Sequence, residues 1–189
     1  LDLPPEALRA EIEGELAYRM LELYRPYPKQ LAFHAAGLTH RERLFLAGNQ
    51  LGKTRSAGAE TAMHLTGRYP YRWPGRVWQR PVTGWAASET SELTRDTVER
   101  VLLGRAGKRG TGLIPAECIV DITASRGAAD AVATARIRHT SGGVSLLVFK
   151  SYDQGRERWQ GDTLERGGGG EAPPADLYDG GLTRNNATG

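Results

Sequence analysis

The chain has 189 residues, of which 39% are hydrophobic and 25% charged, a mixture typical of a folded domain rather than a disordered one. No apolar run approaches the roughly 18 residues that a membrane span needs, and the acidic, amphipathic start is unlike a secretory signal peptide. A net charge of +3 does not by itself indicate a nucleic-acid partner. A single cysteine, Cys118, excludes a disulfide framework and a cysteine-based zinc site, and it fits a reducing cytosol.

The first predicted element is a helix. Apolar residues recur at near-helical spacing over residues 6–24, directly after the pair Pro4 and Pro5. We interpret this segment as an amphipathic docking arm or lid that ends at Pro26, and a second short helix begins at Pro28. The sequence therefore divides into a helical arm over residues 1–25 and a main domain over residues 26–189.

The main domain alternates predicted strands and helices. The apolar run over 44–47 precedes a glycine-containing turn and a predicted helix over 54–65, which is the opening of a parallel α/β unit. The remaining predicted elements are a helix over 88–103 and strands over 82–87, 118–122, 135–139 and 144–150. This order predicts an α/β fold.

A phosphate-loop motif lies between the first strand and the next helix. Residues 47–54 match the pattern G-x-x-x-x-G-K-[ST], except that Ala47 occupies the first glycine position. Backbone N–H groups at a helix N-terminus hold phosphates, with Lys53 on the β- and γ-phosphates and Thr54 on Mg²⁺. A chance match in a glycine-rich chain is the alternative. The predicted nucleotide-binding residues of this loop are Gly48, Asn49, Gln50, Leu51, Gly52, Lys53 and Thr54.

Around this motif, the sequence resembles the N-terminal ATPase domain of bacteriophage terminase large subunits, which package viral DNA. The segments that carry the resemblance are 27–30, 48–54, 149–154, 159–161, 171–174 and 182–189. The resemblance implies a RecA-like P-loop NTPase fold with a mainly parallel sheet flanked by helices. It also implies an ATP- and Mg²⁺-dependent motor that translocates double-stranded DNA into a procapsid.

The resemblance assigns roles to three further positions. Gln30 resembles the glutamine that contacts adenine, Glu171 the catalytic glutamate that polarises the attacking water, and Thr188 the hydroxyl that couples hydrolysis to movement. Arg156 or Arg158 is a candidate arginine finger toward a neighbouring ATP site, because ring motors complete their sites across subunit interfaces. The alternatives are an exposed helix glutamine, a loop acid before Pro173, surface salt bridges and a helix-cap or turn threonine.

The chain departs from the family pattern at two places. Asn49 stands where many members have an arginine, and Gly170 stands where the family has the aspartate that holds Mg²⁺. Glycines also fill 167–169, where the family has an apolar strand. The sequence therefore predicts ATP binding with slow or undetectable hydrolysis. The alternative function is a non-hydrolysing nucleotide-binding or assembly module derived from such a motor.

The segment 67–80 interleaves arginines with aromatic residues and contains no acid. Arginine pairs with phosphate and aromatic rings stack on bases, so one interpretation is a DNA-tracking surface. The other is a long ordered loop whose tryptophans pack on the domain while its arginines are solvated or meet a neighbouring subunit. The four histidines show no metal-ligand spacing, and no nucleophile-elbow pattern is present.

The resemblance also implies partners. These are double-stranded viral DNA, a homo-oligomeric ring, the small terminase subunit and the portal protein, in the host cytoplasm and without a membrane. The family carries a C-terminal nuclease, and the 189 residues end before such a domain, so we expect no nuclease activity from them.

Overall fold

The computed structural model describes residues 4–46, 51–126, 129–154 and 166–169, the last segment and residue 154 by their backbone alone. Helix α1 spans Pro5–Ala17 and buries none of its residues. It is shorter than the predicted helix over 6–24, because the chain turns after Tyr18 and places Leu21 and Tyr24 in the core. No described helix is long and apolar enough to cross a membrane.

Helices α2 and α3 lie on either side of the predicted phosphate loop. Helix α2 spans Pro28–Ala36, and the Tyr27 backbone N–H at its start donates to the Gln30 side chain at 2.9 Å. Helix α3 spans Lys53–Thr66 and is almost entirely buried after its first turn. Both helices confirm the sequence-based expectation within a few residues.

The next elements are a strand and a helical segment. Strand β1 spans Thr83–Ser88. The helical segment 91–103 consists of α4 (Ser91–Leu93), a π-helical stretch (Thr94–Glu99) and α5 (Arg100–Leu103). It begins three residues later than predicted because Ser88 belongs to the strand. A short 3₁₀ turn over Ala116–Cys118 leads into the remaining strands.

Four more strands complete a five-stranded sheet in the order β2-β3-β4-β1-β5. They are β2 (Ile119–Ala124), β3 (Val132–Arg138), β4 (Val144–Ser151) and β5 (Arg166–Gly169), with a 3₁₀ turn over Tyr152–Gln154 after β4. Strands β4 and β5 pair parallel with β1, whereas β3 pairs antiparallel with both β2 and β4. The expectation of a mainly parallel sheet was therefore wrong for the β2–β3–β4 half.

The apolar core lies between the sheet and the helices. Ala86, Leu147 and Ala135 lie on one face of the sheet. Leu147 pairs with Ala135, and Phe149, two residues after Leu147 and thus on the same face, pairs with Ala86. These residues join a cluster that includes Met63 of α3 and Leu102 of α5. Cys118 also lies in this core, and burial raises the pKa of its thiol, which keeps the group protonated.

The strand predicted over 44–47 is wrong for its described residues. Residues 44–46 adopt no strand, and the side chains of Leu44 and Leu46 are 73% and 81% exposed. A strand requires a hydrogen-bonded neighbour, and these residues instead follow α2, where Phe45 stacks on Phe33 with ring centroids 4.9 Å apart. Ala47 lies outside the described residues.

Candidate nucleotide-binding site

The start of α3 has the local geometry that the phosphate-loop motif requires. Gly52 precedes the helix with φ 75° and ψ 23°, a left-handed conformation that favours glycine. Lys53 and Thr54 form the first turn, half-buried, and the first turn holds no acidic residue. The N–H groups of a helix's first turn and the helix dipole favour an anion at this end.

The end of α3 is hydrogen-bonded to the turn that precedes β4. The Thr66 carbonyl, at the end of α3, accepts from the Thr140 N–H at 2.9 Å, and Thr140 shortly precedes β4. Helix α3 packs against β1, β3 and β4. Since ligands of α/β sheets bind at the carboxyl ends of the strands, we expect the opposite end of α3, where Lys53 lies, to face that edge.

Gln30 lies beside the described part of the phosphate loop. Its side chain is 4% exposed, and Nε2 lies 3.4 Å from the Leu51 carbonyl and 3.5 Å from the Gly52 carbonyl. The same amide accepts from the Tyr27 N–H through Oε1. The structure therefore places Gln30 beside the described loop residues, and its contact with adenine stays a prediction.

A buried carboxylate lies on α3, two helical turns after Lys53. Glu60 is fully buried, and its two oxygens accept from both terminal nitrogens of Arg43, at 2.7 Å and 3.1 Å. His34 Nδ1 lies 2.7 Å from Oε2, and His64 Nε2 lies 3.3 Å from Oε1. Because a carboxylate only accepts, His34 carries a proton on Nδ1.

This cluster extends through hydroxyl groups on both sides. The Tyr24 and Ser56 hydroxyls lie 2.9 Å and 3.2 Å from His34 Nε2. Burial is the main cause that raises the pKa of Tyr24, so this hydroxyl stays protonated. This cluster was not predicted from the sequence. A signal for it exists, because Ser56, Glu60 and His64 recur at intervals of four residues, a spacing that places side chains on one face of a helix.

The arginine-rich segment 67–80 packs onto the same cluster with its aromatic residues. The Tyr69 hydroxyl lies 2.9 Å from His64 Nδ1 and accepts from the Trp78 N–H at 2.9 Å. The Trp73 ring lies 4.7 Å from the His34 ring. This confirms the expectation of an ordered loop whose tryptophans pack on the domain.

The arginines of this segment differ in their surroundings. Arg68 pairs with Glu117 at 2.6 Å, and this hydrogen bond lowers the pKa of Glu117. Arg72, Arg76 and Arg80 are exposed, and the last two lie over the Trp78 ring. The segment therefore exposes three arginines to solvent while its aromatic side chains pack on the domain. Contact of these arginines with DNA stays a prediction.

The remaining predicted site residues fall outside the described residues. These are Gly48, Asn49, Gln50, Arg156, Arg158, Gly170, Glu171 and Thr188. The glycine run before Glu171 is described as far as Gly169, as strand β5 paired parallel with β1. Within the described segments, no group of three or more His, Cys, Asp or Glu side chains could hold a metal ion.

Comparisons with known proteins identify the family. A family model described as the N-terminal part of the terminase large subunit, T4likevirus-type, matches residues 44–189. The chain belongs to this terminase family. It is also 39% identical over 201 residues to the terminase large subunit of Salmonella phage P22.

That alignment covers 94% of this chain and 40% of the P22 protein, so the chain spans about two fifths of this relative. No solved structure matches the chain. The resemblance to terminase large subunits that the sequence predicted is thus confirmed, and the terminase family model covers the described start of α3 with Lys53 and Thr54.

Proposed function

We propose that this chain is the ATP-binding motor portion of a phage terminase and couples nucleotide to movement of double-stranded DNA. The observation that carries the proposal is the start of α3, where left-handed Gly52 precedes Lys53 and Thr54. The other end of α3 is hydrogen-bonded to the turn before β4, an orientation that is compatible with the proposed RecA-like P-loop fold. Membership of the terminase family supports the same function.

In this proposal, the chain binds the triphosphate of ATP through the backbone of residues 48–54. The Lys53 ammonium neutralises charge on the β- and γ-phosphates, where charge increases during phosphoryl transfer. The Thr54 hydroxyl is an oxygen ligand of the kind Mg²⁺ prefers, and Mg²⁺ supplies charge stabilisation when bound. Gln30, held against the loop carbonyls, is the residue that we propose to contact the adenine edge.

The sequence at the end of β5 determines the expected rate of hydrolysis. Glu171 is the group we propose to orient the attacking water. Gly170 has no side-chain oxygen for the Mg²⁺ shell, and neighbouring side chains along a strand point to opposite faces, so we propose that Glu171 does not replace the missing aspartate. We therefore propose that the chain binds ATP and hydrolyses it slowly.

The wider assembly is proposed on the family alone. Translocation would take place in a ring of subunits at the procapsid portal, in the host cytoplasm, with the small terminase subunit as a partner. Arg156 would complete a neighbouring ATP site. The exposed arginines of the 67–80 segment are the surface that we propose to track DNA.

An ATPase assay with and without double-stranded DNA tests this function. We expect slow turnover in the unmodified chain, equal or intermediate turnover in Gly170→Asp, and the highest turnover when valines at 167–169 accompany Gly170→Asp. Stimulation by double-stranded DNA would support the motor. Robust turnover by the unmodified chain that survives Glu171→Ala would refute the assignment of Glu171 and point to another carboxylate, such as Asp153 or Asp162.

A second function is favoured by Gly170 itself. A chain that binds ATP tightly, with no turnover in any of these variants and no response to DNA, would be a nucleotide-binding assembly module. The same assay distinguishes the two functions, because only the motor gains turnover when the carboxylate and the strand side chains are restored.

A further inference from the structure

We infer that Glu60 is a positioning residue that holds together the segments on either side of the phosphate loop, an inference that rests on the proposed nucleotide site. Arg43 lies on the chain ahead of this loop, and the loop leads into α3 at Lys53. Glu60 accepts two hydrogen bonds from Arg43 and itself belongs to α3. The carboxylate therefore joins the segment before the loop to the helix after it.

The segment ahead of the loop is held in place by four contacts of Arg43. Besides the two bonds to Glu60, Arg43 Nη1 donates to the Phe33 carbonyl at 2.7 Å, and the guanidinium lies 4.4 Å from the centre of the Phe33 ring. A planar guanidinium that bonds a carboxylate through two nitrogens has one preferred orientation. The backbone at residue 43, four residues before Ala47, is therefore fixed relative to α3.

Helix α2 is tied to the same carboxylate. His34 Nδ1 donates to Glu60 at 2.7 Å from a fully buried position, and the same helix carries Gln30, whose amide faces the Leu51 and Gly52 carbonyls. The Glu60 charge thus sets the distance between α2 and α3, and with it the position of Gln30 beside the loop.

This carboxylate differs from an ordinary core contact because Arg43 and His34, which donate to it, both lie on the chain ahead of the proposed phosphate loop, whereas Glu60 lies on the helix after it. A buried ion pair is weak evidence for stability, since desolvation offsets the attraction, and its known benefit is a specific geometry. The structure also contains a matched control. Glu99 is 1% exposed, accepts from Arg109 at 2.6 Å and from the Val132 N–H at 2.9 Å, and its partners flank no part of the phosphate loop.

The test compares Glu60→Gln with Glu99→Gln in the whole chain. Each substitution removes one buried charge that has an arginine partner, so both should lower the melting temperature. We expect the affinity for a fluorescent ATP analogue, measured where each variant is folded, to weaken about tenfold in Glu60→Gln and less than about twofold in Glu99→Gln. Equal affinities in the two variants would overturn the inference.

Hydrogen exchange without nucleotide gives a second readout that does not depend on the proposed function. The Ser56 N–H, which donates to the Gly52 carbonyl at 2.8 Å, and the amides of α2 should exchange faster in Glu60→Gln and not in Glu99→Gln. If the unmodified chain binds no nucleotide, the proposed function fails while this comparison still decides the inference. Unchanged exchange in Glu60→Gln would overturn it.

If Glu60→Gln does not fold, a second pair of variants with smaller changes tests the same inference. Arg43→Lys keeps the positive charge and loses the two-nitrogen contact with Glu60. Arg109→Lys is the control, in which lysine replaces an arginine that contacts Glu99 through one nitrogen. We expect about threefold weaker nucleotide binding in Arg43→Lys. Wild-type affinity in both lysine variants would contradict the positioning role.

Discussion

Helix α3 is held on two sides by different kinds of contact. On one side, Ser56, Glu60 and His64 meet α2, Arg43 and Tyr69 through charges and hydrogen bonds. On the other side, Gly58, Ala59, Ala62 and Met63 pack against the apolar cluster that contains Leu102 and Leu113. Apolar burial is non-directional and contributes mainly stability, whereas hydrogen bonds between buried charges fix one geometry. The two sides should therefore respond differently to substitution.

The largest expected effect on stability lies on the apolar side. Leu102 is 1% exposed, and Leu102→Ala should lower the free energy of unfolding by about 3 kcal/mol through lost transfer energy and a cavity. Urea denaturation measures this change. Nucleotide affinity in the folded variant should stay within about twofold of wild type. A tenfold loss of affinity would show that the apolar side also sets the loop geometry.

A substitution of Gly58 tests how closely α3 packs against its apolar neighbours on the same side. A Cβ at Gly58 would lie 2.9 Å from Val101 Cγ1 and 3.2 Å from Leu113 Cδ1, so Gly58→Val should destabilise the chain by about 2 kcal/mol through overpacking. Gly14→Val in α1 is the matched control, because nothing lies within 4 Å of its added Cβ. Thermal unfolding of both variants checks the prediction, and an equal response would contradict it.

The arginine-rich segment extends the polar side to the surface. Arg72 and Arg76 are exposed beyond the anchored residues Tyr69 and Trp73. If both arginines neutralise DNA phosphates, replacing them with alanine should reduce the slope of log affinity against log salt by about 2. Arg68, paired with Glu117, provides the control substitution with a smaller change. An unaltered slope in the double variant would place DNA elsewhere.

The smallest expected effect concerns pH. Burial lowers the pKa of His139, whose Nδ1 accepts from the Ser141 N–H at 3.1 Å. The unfolded chain then takes up a proton near pH 6.5, its ordinary value, before the folded chain does. Stability should be full above about pH 6.5 and decline as pH falls below it. His139→Gln should remove this part of the decline, measured by urea unfolding at pH 7.5 and 5.5; an identical decline would exclude His139.

Much of the fold could be predicted because its signals are local. Pro28 and Gly52 mark helix starts, and the apolar alternation of β3 and β4 indicates strands. Strand direction could not be predicted, because parallel and antiparallel pairing of β3 depends on long-range register. The run over 44–46 has a strand's composition, yet Phe45 stacks on Phe33 instead.

The candidate site likewise has a part that could be predicted from local sequence and a part that could not. Lys53, Thr54 and Gln30 were predicted from a motif and a resemblance, and the structure brings Gln30 to the described loop residues. The Glu60 cluster was not predicted, because its members come from four separate segments and meet only in the folded chain. A glutamate inside a helix is normally an exposed residue, and nothing local in the sequence marks this one as buried.

The proposed motor function depends most directly on nucleotide binding at the start of α3. Titration of the unmodified chain and of Lys53→Ala with a fluorescent ATP analogue tests this claim, with unfolding curves to confirm that both are folded. We predict that Lys53→Ala weakens binding at least about tenfold, or about 1.4 kcal/mol, because Lys53 begins the helix directly after Gly52, where the phosphates are expected. Equal affinity in the two proteins would contradict the assignment of the phosphate loop.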